Sequence, residues 1–356
     1  MSIDLFAPFN IGGLAIMNRF MRSATYDGTA DETGAVTERS LDLYRQLGKG
    51  HIGLVVTGHT YVSRSGQAGD GQYGIYSDVL VPGLRRLTAA VHEGGGKVAI
   101  QIAHAGINSN YLERQGIPAL AVSATTETQR PHREMTEQDI MDIIGDFKAA
   151  ARRAVDAGFD AVQLHGAHGY LMSQFLSPLT NYRKDGWGGT SGNRRRFQRE
   201  VVKAVRGALP DGFPLLMKFG VKDDQEGGLP IEEGLEAARQ MAADGVNGIE
   251  VSGGIGMTSV AKGEAYFRDR AAAVKHAVGV PVMAVAGIRT IAVAQAIVDS
   301  GDADMVSMSR PFIREPDLIE RWERDSEEAK CLSCSRCFAF TRHGLLLCGQ
   351  DHRIPD

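Results

Sequence analysis

The first 330 residues contain no cysteine, and the 356-residue chain has four in all: Cys331, Cys334, Cys337 and Cys348. That absence argues against a disulfide framework spread through a secreted domain, and the cluster reads instead as a local metal or redox feature. Long apolar runs are missing too. No segment approaches the ~18 uninterrupted apolar residues of a membrane-spanning helix, and Met1 to Pro8 holds no basic stretch leading into an apolar one. A cytoplasmic protein with no membrane partner is expected. Basic residues run together only at Arg194, Arg195 and Arg196, and a formal net charge of −4 leaves no electrostatic footprint for nucleic acid. No linker rich in Pro, Gly or Ser divides the chain. One domain is therefore expected over residues 1–325, followed by a cysteine-containing tail over 326–356.

What is present is ample material for a large core, with 43% hydrophobic and 23% charged residues. Short β-branched runs alternate with longer amphipathic stretches along the whole chain, as repeated βα units around a parallel sheet require. The strands are expected at residues 20–24, 53–57, 98–102, 161–164, 215–219, 249–252, 282–285 and 305–308. Helices are expected at 38–48, 83–92, 137–157, 193–208, 231–243, 268–278, 291–300 and 316–324. Leu215-Leu216-Met217 and Val282-Met283-Ala284-Val285 are almost wholly apolar, which suits strands buried on both faces. A doubly wound sheet would advertise itself by a Gly-x-Gly-x-x-Gly turn after the first strand, and none is there. The predicted fold class is α/β, a single (β/α)8 TIM barrel.

In such a barrel the chemistry gathers at the carboxyl ends of the strands. The residues falling there are Ser23, Ala24, Thr25 and Tyr26; Thr57, Gly58 and His59; Gln101 and His104; His165, His168 and Tyr170; Lys218; Ser252, Gly253 and Gly254; Ala286 and Gly287; and Ser309 and Arg310. Two imidazoles three residues apart can converge on one carbonyl or oxyanion, and the Tyr170 phenol beside them can donate a proton. Ala286-Gly287 and Ser309-Arg310 follow the last two strands, where barrels commonly hold a phosphate. A phosphate-bearing cofactor is implied. A metal-dependent lyase or hydrolase built on His165 and His168 would need a third, acidic ligand, and Glu250 is set aside for that role on strand parity.

The motifs go further. Leu5-Phe6-x-Pro8-Phe9, Asn18-Arg19, Gln101-Ile-Ala-His104-Ala-Gly106, His165-Gly-Ala-His168-Gly-Tyr170-Leu and the long stretch from Phe175 to Phe197 all fit one pattern. Over residues 3–325 the chain resembles the Old Yellow Enzyme family of FMN-dependent oxidoreductases. The resemblance implies that NADH or NADPH reduces FMN, which then reduces the C=C bond of a small α,β-unsaturated carbonyl substrate. It implies catalytic roles for Tyr170, His165 and His168, with Tyr26 as a further substrate contact. It gives Ser23, Ala24, Thr25, Gly58, Gln101, His165, Lys218, Ser252, Gly253, Gly254, Ala286, Gly287, Ser309 and Arg310 to FMN, with Ser23, Ala24 and Gly58 along the ring, Gln101 and Lys218 at its pyrimidine edge, and Gly287, Ser309 and Arg310 at its phosphate. It also implies a homo-oligomer.

Three departures stand out. Ala24 and Thr25 stand where many relatives have Pro and a larger residue, with Tyr26 near the position that tunes the flavin potential, and Lys218 replaces an Arg, keeping the charge but losing the planar fork. The third is the tail, whose Cys331, Cys334, Cys337 and Cys348 are spaced similarly to the [4Fe–4S] ligands of the 2,4-dienoyl-CoA reductase and trimethylamine dehydrogenase branch, without the further domains of those proteins. Iron–sulfur, zinc and free thiols stay open, as do amine oxidation or demethylation and a non-catalytic electron-transfer role.

Overall fold

The computed structural model describes residues 2–126, 128–257 and 263–353. The last three residues of the predicted tail lie outside them. Eight parallel strands close into a barrel: β1 Phe20–Arg22, β2 Leu54–Val56, β3 Val98–Ala103, β4 Ala161–Gly166, β5 Leu215–Gly220, β6 Gly248–Ser252, β7 Val282–Val285 and β8 Met305–Met308. Each pairs with the next, and β8 returns to β1 through Val306 opposite Phe20. The expected TIM barrel is the observed one.

Seven long helices wrap it: α1 Glu38–Lys49, α2 Val81–His92, α3 Glu137–Asp156, α4 Ser191–Arg206, α5 Ile231–Ala243, α6 Arg268–Ala277 and α7 Ile291–Asp299. The expected eighth helix is instead two five-residue pieces, Arg310–Arg314 and Leu318–Trp322. Helix punctuation follows side-chain chemistry. Thr136 caps α3 by accepting the Asp139 N–H while the Asp139 carboxylate accepts the Thr136 N–H, so two otherwise orphaned donors are satisfied. Gly158, at φ 83°, then supplies the left-handed residue that lets the chain turn into β4.

The barrel interior is layered by the two-residue period of its strands. At the amino end Met21, Leu54, Ala99, Ala161, Leu216, Met283 and Met305 form an apolar layer. A short antiparallel hairpin, Phe9–Ile11 with Leu14–Ile16, plugs that end and buries Ile11 and Ile16 against the layer. Two residues further along five of these strands stand Ser23, Gln101, Gln163, Lys218 and Ser307, with Glu250 of β6 in register beside Lys218, all buried. The same face that is apolar at the bottom is thus polar halfway up, and the cavity opens above it. The opposite faces, including Phe20, Val55, Ile100, Leu164, Phe219, Val251 and Val306, pack under the helices.

The long Phe175–Phe197 stretch lies outside this interior. Phe175 stacks on Phe197 with centroids 4.1 Å apart, and Arg196 sits 4.0 Å over the Trp187 ring. Asn181 donates to the carbonyls of Phe175 and Trp187, while Arg183 reaches across to the carbonyls of Val122 and Met135. This segment latches the loop after β3 to the barrel wall. Among the described residues no helix is long and apolar enough to cross a membrane.

Candidate active site

A cavity of about 370 Å³ opens at the carboxyl ends of the strands. From the expected set it brings together Ser23, Ala24, Thr25, Tyr26, His59, Gln101, His165, His168, Tyr170, Lys218, Ser252, Ala286, Gly287, Ser309 and Arg310. Three expected glycines stay behind the wall, as does Thr57, whose hydroxyl accepts the Gln101 N–H. The Gly58 N–H is taken by the Tyr44 hydroxyl at 2.9 Å, and a side chain there would meet the Thr25 carbonyl and the Asp27 carboxylate. Gly253 passes against Met257, and Gly254 against Asp223 and the Lys222 carbonyl. These glycines serve close packing of the strand ends. His104 is likewise turned into the scaffold, its Nδ1 accepting the Gly106 N–H and its Nε2 meeting Ser65.

One wall is made by the turn after β4. His168 and Gly169 both adopt left-handed backbone, φ 59° and 71°, which folds the chain back so that His165, His168 and Tyr170 face one another. The His165 and His168 rings are 5.1 Å apart, and the His165 and Tyr170 rings 4.7 Å. His165 Nδ1 accepts the Ala167 N–H, which leaves the proton of a neutral ring on Nε2. His168 Nε2 pairs with the Ser252 hydroxyl at 2.8 Å, and the Tyr170 hydroxyl with His59 Nε2 at 3.0 Å.

At the base, Lys218 Nζ donates to Ser23 Oγ at 2.6 Å and to Glu250 Oε1 at 3.0 Å. Glu250 also accepts from the hydroxyls of Ser23 and Ser307 and from the Gln163 amide, and Gln163 in turn accepts from Gln101. Burial pushes the Glu250 carboxyl up, but Lys218 and the two hydroxyls outweigh it and hold it below the ordinary glutamate value. Glu250 therefore shares the inward face with Ser252, as residues two apart in a regular strand must, and the parity argument that set it aside was mistaken. It is committed to Lys218 rather than to a metal with the histidines.

The far end is formed by Ala286, at φ 94°, and Gly287, at φ 78°, together with Ser309 and Arg310. A side chain at Gly287 would lie 2.5 Å from the Gly263 carbonyl, so glycine is what lets the two loops meet. Arg310 Nη1 donates to the Ser333 carbonyl at 2.7 Å and contacts Ser335 Oγ at 3.1 Å. The tail thus reaches the cavity, and Ser333, Ser335 and Phe338 line it alongside Tyr266 and Phe267. Sequence reasoning missed these residues because the tail has no periodicity. The left-handed backbone of Ser333 and Ser335 that bends it inward has no glycine to announce it.

Beyond Arg310 the four cysteines are free thiols lining one small cavity with Ile313 and Gln350. Burial raises the Cys331 thiol and takes Cys337 up to about 11, while the Arg336 N–H lowers Cys334. Among the described residues no three His, Cys, Asp or Glu side chains converge closely enough for a single metal ion.

Burial also holds the imidazoles neutral, with His59 at about 4, His104 and His168 at about 3 and His165 well below its ordinary value. An unfolded chain would take up protons on these groups below about pH 6.5 whereas the folded chain would not. Stability from this source is complete above that pH and drains away as pH falls toward the folded values, at up to about 1.4 kcal/mol per pH unit for each ring. The melting temperature is expected to fall steeply between pH 6.5 and 4.5. A flat profile would mean that the rings protonate in place.

The chain has known relatives. A family model described as the NADH:flavin oxidoreductase / NADH oxidase family matches residues 4–328. The chain is 36% identical to an NADPH dehydrogenase of Geobacillus sp. strain WCH70 over 89% of its own length and 92% of the relative's. It is 33% identical to an NADH oxidase of Thermoanaerobacter brockii over 93% of its length, but spans only 53% of that protein. A solved complex of 2-naphthoyl-CoA reductase with 2-naphthoyl-CoA superposes with a TM-score of 0.91 at 28% identity, over 96% of this chain and 56% of the other. On the extent of these matches, the chain belongs to the NADH:flavin oxidoreductase / NADH oxidase family, whose Old Yellow Enzyme pattern its motifs follow.

Proposed function

We propose that the chain is an FMN-dependent oxidoreductase that takes hydride from NADPH or NADH and reduces the C=C bond of α,β-unsaturated carbonyl compounds. The observation that carries the reading is the meeting of His165, His168 and Tyr170 on one wall of a cavity whose base presents Lys218. The donor set fits FMN. Gln101 and Lys218 suit the polar edge of the ring, Ser23, Ala24, Thr25 and Ser252 flank it, and Ala286, Gly287, Ser309 and Arg310 suit the phosphate. When bound, FMN supplies the hydride store between the nicotinamide and the alkene.

The chain's own groups do the rest. His165 and His168, neutral donors in a buried wall, hold the substrate carbonyl and steady the charge that develops on its oxygen. Tyr170, whose phenol burial has pushed up to about 12, gives its proton to the α-carbon while remaining protonated in the resting state. Tyr26, its hydroxyl spent on the Asp70 carbonyl, offers the substrate a ring face. The paired imidazoles of His165 and His168 favour a carbonyl compound over an amine. Cys331, Cys334, Cys337 and Cys348, which line one small cavity and are spaced similarly to the ligands of such clusters, would hold a [4Fe–4S] cluster, which supplies one-electron transfer when bound.

The test is the visible spectrum of anaerobically purified protein. A flavin spectrum that bleaches with NADPH or NADH and recovers with 2-cyclohexenone is expected, with broad added absorbance and acid-labile sulfide from the tail. Bleaching by a methylated amine would overturn the substrate class. A colourless protein that takes up no FMN would overturn the whole reading.

A further inference from the structure

His59 lies three residues beyond the end of β2 and meets the turn after β4, and the motifs that mark the family do not include it. Its Nε2 lies 3.0 Å from the Tyr170 hydroxyl, and the two rings stack with centroids 5.3 Å apart at 24°. Among the described residues, His59 is the hydrogen-bond partner of the Tyr170 hydroxyl. His59 is itself fixed, since Gln72 donates to its backbone carbonyl at 3.0 Å. The groups facing its ring are Tyr26 at 5.4 Å and His165 at 6.2 Å, besides Tyr170. Among the described residues no carboxylate or cation pairs with it, and burial lowers its pKa to about 4. It is 9% exposed and lines the cavity.

We propose that His59 is a positioning residue for Tyr170, aiming the phenol at the substrate and returning to it the proton that each turnover consumes. The proposal rests on the reading that Tyr170 protonates the α-carbon. In that step the Tyr170 O–H bond breaks as the C–H bond forms, leaving a buried phenolate. Burial that raises the phenol to about 12 makes the phenolate costly and strongly basic, so it must be quenched at once. His59 then loses its Nε2 proton to the phenolate oxygen while Nδ1 takes one from a solvent acid. The ring stays neutral throughout and ends as its other tautomer, which exchange with solvent resets. One solvent proton enters for each alkene reduced, and no oxidant or reductant is added.

Three variants separate the roles. His59→Phe keeps the stacked ring and removes both nitrogens; His59→Gln keeps a hydrogen bond to the phenol and cannot pass a proton; Tyr170→Phe removes the acid. Reoxidation of the NADPH-reduced protein by 2-cyclohexenone is compared with reoxidation by ferricyanide, which takes electrons without protonating carbon. His59→Phe is expected to lower the enone-to-ferricyanide rate ratio by about 10²-fold. His59→Gln is expected to leave a first enone turnover within about threefold of the parent, while steady turnover falls about tenfold between pH 6 and 8. A purely structural role would move neither the ratio nor the pH profile. If both His59 variants keep the parent ratio and profile while Tyr170→Phe loses the ratio, the proposal is overturned and the Tyr170 reading stands. If Tyr170→Phe itself keeps the ratio, the reading beneath it fails. Should His59→Phe lose its flavin, the pH profile of His59→Gln decides alone.

Discussion

Glu250→Ala is expected to cost the folded protein about 3–5 kcal/mol, the loss usual when one member of a buried ion pair is removed. The size follows from what is left behind. Lys218 is 3% exposed and has two partners, Glu250 and Ser23, and Ser23 is itself oriented by donating to Glu250. Without the carboxylate an ammonium remains in the barrel with one hydroxyl, and Ser307 and Gln163 lose their acceptor as well. Glu250→Gln, which can still accept from Lys218, should lose markedly less. Glu250→Leu combined with Lys218→Met should recover much of the loss, because two apolar groups need no desolvation compensated. Thermal melts of the flavin-loaded proteins at pH 7 check this. An unchanged midpoint for Glu250→Ala would mean that water enters the barrel base and takes the place of the carboxylate.

That pair also marks how far the sequence could be read. The strands β1 to β8 were legible because each is a short apolar run bounded by turn residues, and their ends predicted within a few residues where Ser23, His165, Lys218 and Arg310 would gather. The apolar layer and the polar layer above it are written as period two, Met21 then Ser23, Ala99 then Gln101, Leu216 then Lys218, Met305 then Ser307. Which polar residue meets which depends on barrel closure and register, and neither is local. Lys218 meets Glu250 only because β5 and β6 pair in that register. His59 meets Tyr170 across 111 residues of chain. Conversely, the stretch that most strongly announced the family, Phe175–Phe197, contributes nothing to the cavity wall and everything to the latch beside it. Recognition of a family and location of its chemistry are different signals in this chain.

Removing either imidazole of the pair, by His165→Ala or His168→Ala, is expected to slow enone reduction by about 10²–10³-fold, the range seen when one donor to a developing oxyanion is lost. The reduction of the flavin by NADPH should suffer less, so the comparison of the two half-reactions assigns the loss. Neutral rings suit this task, because a donor that is already uncharged need not release a proton when the carbonyl oxygen gains charge and loses it again. With His168 at about 3, His165 well below its ordinary value and Tyr170 at about 12, none of the three changes charge between pH 5 and 9. The rate of a first enone turnover should accordingly be flat across that range in the parent protein. His168 has a second duty that His165 lacks, since its Nε2 is tied to Ser252 and its left-handed backbone shapes the turn. His168→Asn, which tolerates that backbone and keeps a donor, should therefore retain more activity than His168→Ala. The double variant carries the argument furthest. If both rings hold one oxygen, losing the second after the first costs little more, whereas independent sites would multiply their losses. A double variant within tenfold of the parent would remove the carbonyl from this wall altogether.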